Sequence, residues 1–217
     1  MLRVAVLASG NGTNFQALQD ACAGGYAPAE IACLVTNRKD ARVVERANGA
    51  GVEVVAVRHK DRTTEEVDEV ILRALHARGV DAVFYAGYMR IRGAGFAKAL
   101  DGQVFNVHPS LLPAFPGAQP IQDAWDWGVT VSGVTIHYAD EDLDMGPIIV
   151  QRAVEIAPDD TIESFDGKIH LAEYAIYPKV LKMQSEGLLR VEGRRVLIER
   201  DVEDPPWAGE LPPGLRT

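Results

Sequence analysis

Arg3-Val4-Ala5-Val6-Leu7-Ala8-Ser9-Gly10-Asn11-Gly12-Thr13-Asn14 is the stretch on which the fold turns. A short apolar strand meets a glycine-rich turn, and from Thr13 to about Ala23 the chain reads as a helix. The pattern then repeats. Ile31-Ala32-Cys33-Leu34-Val35 is a second strand, 40–49 a helix rich in Arg and Glu, and 52–57 a third strand. Thr64, followed by Glu65 and Glu66, is the expected cap of a long helix that closes at Gly79. Val67, Val70, Ile71, Ala74 and Leu75 form an apolar stripe along it. Residues 81–86 and 104–107 are strands four and five. Apolar strands alternating with amphipathic helices predict an α/β fold: an open, mostly parallel twisted sheet with helices on both faces, Rossmann-like.

The second half changes character. Pro109, Pro113, Pro116 and Pro120 puncture a loop after strand five, and a short helix over 121–127 follows, with Trp125 and Trp127 expected to pack it. Val131 to Tyr138 reads as an extended strand, 140–146 as a polar turn and 147–156 as a returning strand. A long helix is expected from about Thr161 to Ser185, then a hairpin over 188–198 centred on Gly193. The whole reads as one domain over 1–200 with an antiparallel C-terminal extension, and an irregular tail over 201–217 marked by Pro205-Pro206 and Pro212-Pro213.

With 47% hydrophobic and 24% charged residues over 217, the chain can bury a core and is not of disordered type. No apolar run approaches the roughly 18–20 residues of a membrane helix, and the N-terminal run is too short for a signal peptide. Cys22 and Cys33 have neither disulfide-framework nor metal-ligand spacing and suit small core residues, so a cytoplasmic location is expected. A net charge of −9 speaks against nucleic acid. That charge is partitioned: residues 1–100 carry 13 Lys/Arg and 11 Asp/Glu, residues 101–217 carry 9 and 20. Between Lys98 and Arg152 there is no Lys or Arg, but seven carboxylates and two of the five histidines.

A glycine-rich turn ahead of a helix presents backbone N–H groups to an anion, and it can equally be a tight turn with Asn as cap. A dinucleotide fingerprint fails here, because Phe15 takes the third glycine position and strand two ends in Val35-Thr36-Asn37-Arg38 without an acid. A single phosphate monoester is the better fit. Asn106-Val107-His108-Pro109-Ser110 lies at the C-terminal end of strand five, the edge at which open α/β sheets bind ligands. Alternation puts Asn106 and His108 on one side of the strand. Asn can donate to a developing oxyanion and His can exchange a proton near neutral pH; a satisfied polar pair capping the strand is the plainer alternative. The acidic strand end His137-Tyr138-Ala139-Asp140-Glu141-Asp142-Leu143-Asp144-Met145-Gly146-Pro147 could bring a carboxylate to that imidazole, favouring its charged form.

The segments Ser9 to Asn14, Ala86-Gly87-Tyr88-Met89-Arg90-Ile91, Asn106 to Pro113, Phe115-Pro116-Gly117, Leu143 to Pro147 and Glu173-Tyr174-Ala175-Ile176-Tyr177-Pro178 together resemble the phosphoribosylglycinamide formyltransferase family, over about residues 1–185. The resemblance implies a formyltransferase domain with a phosphate-binding half (1–100) and a catalytic and folate-binding half (101–200). It implies direct formyl transfer from 10-formyltetrahydrofolate, a co-substrate, to glycinamide ribonucleotide in purine biosynthesis, by a monomer or homodimer and without metal. Asn106 and His108 would hold the formyl oxygen; Asp144 would orient a water, keep His108 protonated and assist proton movement. Gly12, Thr13 and Asn14 resemble the substrate-phosphate site, and Glu173, with His170 one turn away, the substrate's glycinamide or ribose end. Met89, Arg90, Ile91 and Arg92, with Asp140, Glu141, Asp142, Leu143, Asp144 and Asn106, match the folate-contacting segments.

The chain departs from the family pattern at Gln119, where a His is common, at Arg92, where Leu is frequent, and at Thr64, often Arg, with Arg62 nearby. His59 and His76 suit the surface, and His137 is either a neighbour of the site or a satisfied strand residue. Two other functions stay open on the residues alone: a 10-formyltetrahydrofolate hydrolase using the same Asn-His-Asp group, and a non-catalytic phosphate-binding module. A tRNA formyltransferase would want a further nucleic-acid-binding domain and a basic surface, and this chain ends acidic.

Overall fold

Val4 and Val6 point into one hydrophobic core and Ala5 and Leu7 into another, on opposite sides of the same strand. That is why the strand reads as an unbroken apolar run: it is buried on both faces. In the computed structural model, which describes residues 1–88, 95–100, 102–140 and 144–216, this strand is β1 (Leu2–Leu7), followed by α1 (Thr13–Ala23), β2 (Ala29–Thr36), α2 (Arg42–Gly49), β3 (Val54–Ala56), α3 (Thr64–His76), β4 (Ala82–Tyr85), α4 (Gly95–Ala99) and β5 (Val104–His108). Then come α5 (Pro120–Trp127), β6 (Val131–Tyr138), β7 (Ile148–Glu155), α6 (Ile162–Ser185), the hairpin β8 (Leu189–Glu192) and β9 (Arg195–Ile198), and a 3-10 turn at Pro213–Leu215.

The strands form one sheet in the order β3-β2-β1-β4-β5-β6-β7-β9-β8. Pairing is parallel from β3 through β5 and antiparallel for β5–β6, β6–β7 and β8–β9. The strand order reverses between β1 and β4, which places a crevice outside their C-terminal ends. The glycine-rich turn sits there, with the Ser9 amide donating to the Gly87 carbonyl at 3.1 Å. One core gathers α1, α5 and α6 over Phe84 and Phe105, whose rings stack at 4.7 Å. The other seats α3 and α4 on Val83 and Val104.

Several expectations need correction. The cap of α3 is Thr63, not Thr64: its side chain accepts from the Glu66 amide at 3.2 Å while Glu66 accepts from the Thr63 amide at 2.8 Å. The reciprocal pair needs an acid three residues on, which Thr63 has and Thr64 lacks. Only 54–56 of the third strand pair, because β3 is an edge that β2 reaches over three residues. The five-residue α4 is too short to show a period. Trp125 packs on Phe165, but Trp127 is 79% exposed, since residues two apart on a helix face opposite sides and Trp125 takes the inward one. Among the described residues, no helix is long and apolar enough to cross a membrane.

Candidate active site

The antiparallel step from β5 to β6 builds the site. Its register pairs Asn106 with His137 and His108 with Thr135, and the next step pairs Thr135 with Gln151. Directly opposed residues bring their side chains within contact range, so one face of three strands carries Asn106, His108, His137, Thr135 and Gln151. Asp144, nearly buried, comes back over this face from the turn after β6 with φ at +58°. Its Oδ2 lies 3.5 Å from His108 Nδ1, and its Oδ1 lies 3.5 Å from Asn106 Nδ2 and 3.7 Å from His137 Nε2. Asn106, His108 and Asp144, read from segments 36 or more residues apart, thus meet in one cluster.

His137 joins them. Its Nδ1 faces the Tyr138 carbonyl at 2.8 Å, and a carbonyl only accepts, so Nδ1 carries the proton. Burial, the dominant cause, pushes the His137 pKa below its ordinary value, against the Tyr138 hydrogen bond and the Asp144 charge that raise it. The neutral ring's Nε2 then accepts from Asn106 Nδ2 at 3.1 Å, which fixes the orientation of the amide. The sequence alone leaves His137 undecided; the deciding signal is its cross-strand register with Asn106, which depends on the whole connection through α5 that joins β5 to β6.

The proline-punctured loop is held from below. Thr135 Oγ1 donates to the Ser110 carbonyl at 2.7 Å and accepts from the Leu112 amide at 3.0 Å, while Gln151 Nε2 donates to the Leu112 carbonyl at 2.9 Å. Ser110 Oγ donates to the Ala114 carbonyl. So anchored, Phe115 adopts φ +51° and accepts from His108 Nε2 at 2.8 Å, and the Gly117 amide donates to Asp144 Oδ2 at 3.0 Å. Two non-glycine residues in the left-handed region, each at a cost of about 1–3 kcal/mol, face the same imidazole, a concentration of strain typical of functional sites. Beside the loop, Pro109, Gln119, Pro120, Ile162 and Asp166 line a cavity of about 460 Å³.

At the crevice, Gly12 is the N-cap of α1 with φ +73°, and a Cβ there would lie 2.5 Å from Val43. No other residue suits that close approach. Arg46 Nε donates to the Asn11 carbonyl at 2.9 Å and braces the turn. Thr13 interacts with the Tyr174 phenol. Asn14 Nδ2 donates to Glu173 Oε2 at 2.9 Å, and His170 Nδ1 faces the same oxygen at 2.9 Å. Glu173 is buried, and its hydrogen bond is the main cause that raises the His170 pKa. Among the described residues, the buried Asn14 Oδ1 has no hydrogen-bond partner. Turning the amide over would set that oxygen against the Glu173 carboxylate, so the orphaned acceptor is a property of the site. Of the expected folate contacts, Asp140 is exposed after β6; Met89, Arg90, Ile91, Arg92, Glu141, Asp142 and Leu143 lie outside the described residues. Among the described residues, no group of three or more His, Cys, Asp or Glu is placed to hold a metal ion.

Known proteins place this architecture. The formyl transferase family pattern matches residues 2–181. A phosphoribosylglycinamide formyltransferase of Haemophilus influenzae is 39% identical over 193 residues, 88% of this chain and 91% of its own length. Another from Bacillus subtilis is 40% identical over 183 residues, 84% of this chain and 94% of its own. The crystal structure of glycinamide ribonucleotide transformylase 1 from Symbiobacterium toebii superposes with a TM-score of 0.89 at 40% identity, covering 92% of this chain and 95% of that one. On that shared length, fold and identity, the chain belongs to the formyl transferase family, among the phosphoribosylglycinamide formyltransferases, and is a formyl-transferring enzyme.

Proposed function

We propose that the chain transfers the formyl group of 10-formyltetrahydrofolate to the amine of glycinamide ribonucleotide in purine biosynthesis, with Asn106, His108 and Asp144 as its catalytic residues. The observation that carries this reading is the convergence of those three side chains, from β5 and from the turn after β6, beside the crevice that holds Gly12, Thr13 and Asn14.

The substrate amine attacks the formyl carbon, a C–N bond forms, and negative charge develops on the formyl oxygen. Asn106 Nδ2–H, held only loosely by Asp144, and His108 Nε2–H, given to the Phe115 carbonyl in this structure, are the donors we assign to that oxygen. Collapse breaks the bond to the folate nitrogen, which must gain a proton while the former amine loses one. Asp144, between His108 and Asn106, is placed to assist both transfers. The α1 turn takes the ribonucleotide phosphate on backbone N–H groups, and Glu173, held by His170, and the Asn14 Oδ1 take its ribose or glycinamide hydrogens. Asp140 to Asp144 and Met89 to Arg92 are assigned to the folate.

A single assay tests the reading: formyl folate is incubated with and without glycinamide ribonucleotide, and deformylation is followed. Turnover that requires the ribonucleotide is expected. Equal turnover without it would make the chain a hydrolase, and none in either case would leave a binding module.

A further inference from the structure

The family match ends at residue 181, yet residues 201–216 are tied closely to the domain. Val202, Pro205, Trp207 and Pro212 are buried. Toward α6, Trp207 Nε1 donates to the Tyr174 carbonyl at 3.1 Å, and Lys179 pairs with Asp201 at 3.2 Å and Asp204 at 3.3 Å. Arg152 of β7 also holds Asp204, at 2.5 Å. Toward α1, the Tyr26 hydroxyl donates to the Glu203 carbonyl at 2.5 Å, and the Tyr26 ring meets Trp207 edge-on at 6.2 Å. Farther on, the Gly214 amide donates to Asp20 Oδ2 at 2.8 Å.

These grips converge on the two helices that carry the proposed ribonucleotide site: α1 with Thr13 and Asn14, α6 with His170 and Glu173. The contacts continue to the glycine-rich turn itself. Gly214 lies against Gln16, where an added Cβ would sit 2.2 Å from Gln16 Nε2. Gln16 Oε1 lies 3.5 Å from Arg46 Nη1, and Arg46 Nε donates to the Asn11 carbonyl at 2.9 Å. The tail therefore reaches the phosphate turn through one glutamine and one arginine.

We infer that residues 203–216 are a positioning strap for the ribonucleotide site: they hold α1 against α6 and, through Gln16 and Arg46, set the geometry of the Asn11 to Asn14 turn. The inference rests on the assignment of that turn to the substrate phosphate. A binding constellation needs its supporting contacts to hold it within about 0.5 Å, and the Asn14–Glu173 hydrogen bond that spans the two helices depends on their separation. The strap touches neither Asn106, His108 nor Asp144 in any contact described above, so it acts on binding of the ribonucleotide and not on the chemical step.

Two variants test this. Ending the chain after Gly209 removes the 3-10 turn and keeps Trp207. Gly214→Ala keeps the full chain and displaces only the flexible end of Gln16, so it leaves the fold in place. For both, KM for glycinamide ribonucleotide should rise about three- to tenfold, the scale of one lost hydrogen bond, with kcat and KM for formyl folate within about twofold. Amide hydrogen exchange at residues 11–14 should speed up in both. Unchanged KM and exchange in both variants would overturn the strap, and so would a fall in kcat with the ribonucleotide KM unchanged. Should the wild type show no ribonucleotide-dependent turnover, the functional assignment fails by itself, and the exchange rates at residues 11–14 decide whether the strap orders the turn.

Discussion

At the residue scale, the division of labour among buried His108, His137 and Asp144 and half-buried Asn106 follows from which atoms can donate. His137 gives its Nδ1–H to a backbone carbonyl and offers Nε2 to Asn106, so Asn106 presents its NH2 group toward Asp144 and the space above it. Asn106→Ala should lower kcat by about 10²–10³, the usual cost of one oxyanion donor. Steady-state rates within a few-fold of wild type would remove Asn106 from the mechanism. Two histidines should titrate in opposite directions from the ordinary value of 6.5. Burial lowers His137 and the Glu173 hydrogen bond raises His170, so imidazole NMR should show midpoints below and above 6.5 respectively. The stability consequences also oppose. For His137 the unfolded chain binds the proton more readily, so its contribution is present above 6.5 and is lost as pH falls toward the depressed folded value. For His170 the contribution is full below 6.5 and is lost as pH rises through the raised folded value.

At the element scale, the 109–117 loop depends on the two strands beneath it. Thr135 and Gln151 supply four hydrogen-bonding contacts to one another and to the loop backbone, and the loop in turn supplies the Phe115 carbonyl to His108 and the Gly117 amide to Asp144. Thr135→Val keeps the shape and removes the hydroxyl, leaving the buried Leu112 amide without its acceptor. We expect kcat to fall about tenfold, with Thr135→Ser near wild type; a Val variant as active as wild type would show that the loop holds itself. The loop was legible as stiff from its three prolines, Pro109, Pro113 and Pro116, but not its supports, because a Thr on β6 and a Gln on β7 become its partners only through register. Helix boundaries show the same division. Ala23 and Ser185 end their helices where the periodicity stops, and Thr161 caps α6 with Ser164 returning the bond. The cap of α3 lies one residue before the expected Thr64, because propensity alone does not distinguish Thr63 from Thr64 and only Thr63 has Glu66 three residues on.

At the scale of the whole molecule, α6 ties the two halves of the sheet. Tyr177 is fully buried, and its one hydroxyl hydrogen is shared between the carbonyls of Tyr85 on β4 and Phe105 on β5, at 2.8 and 3.0 Å, the latter one residue before Asn106. Tyr177→Phe should cost about 1 kcal/mol, a fall in Tm of about 2–4 °C for a chain of this size; an unchanged Tm in thermal denaturation would show that the strand ladders satisfy those carbonyls alone. The partitioned charge also takes shape here. Arg46 of the more basic half braces the glycine-rich turn, while the cation-poor stretch from Lys98 to Arg152 supplies Asn106, His108, His137 and Asp144. The alternation of apolar strands with amphipathic helices was sufficient by itself for the parallel sheet, because burial on both faces demands that composition over a few consecutive residues. It was sufficient also for the glycine-rich turn, where a left-handed backbone needs glycine locally. Which polar residues meet was decided only by the tertiary structure. Asp144 reaches His108, His137 turns Asn106, and the tail reaches Asn11 through pairs distant in the chain, and their distances are set by strand register and helix packing, which no local pattern records.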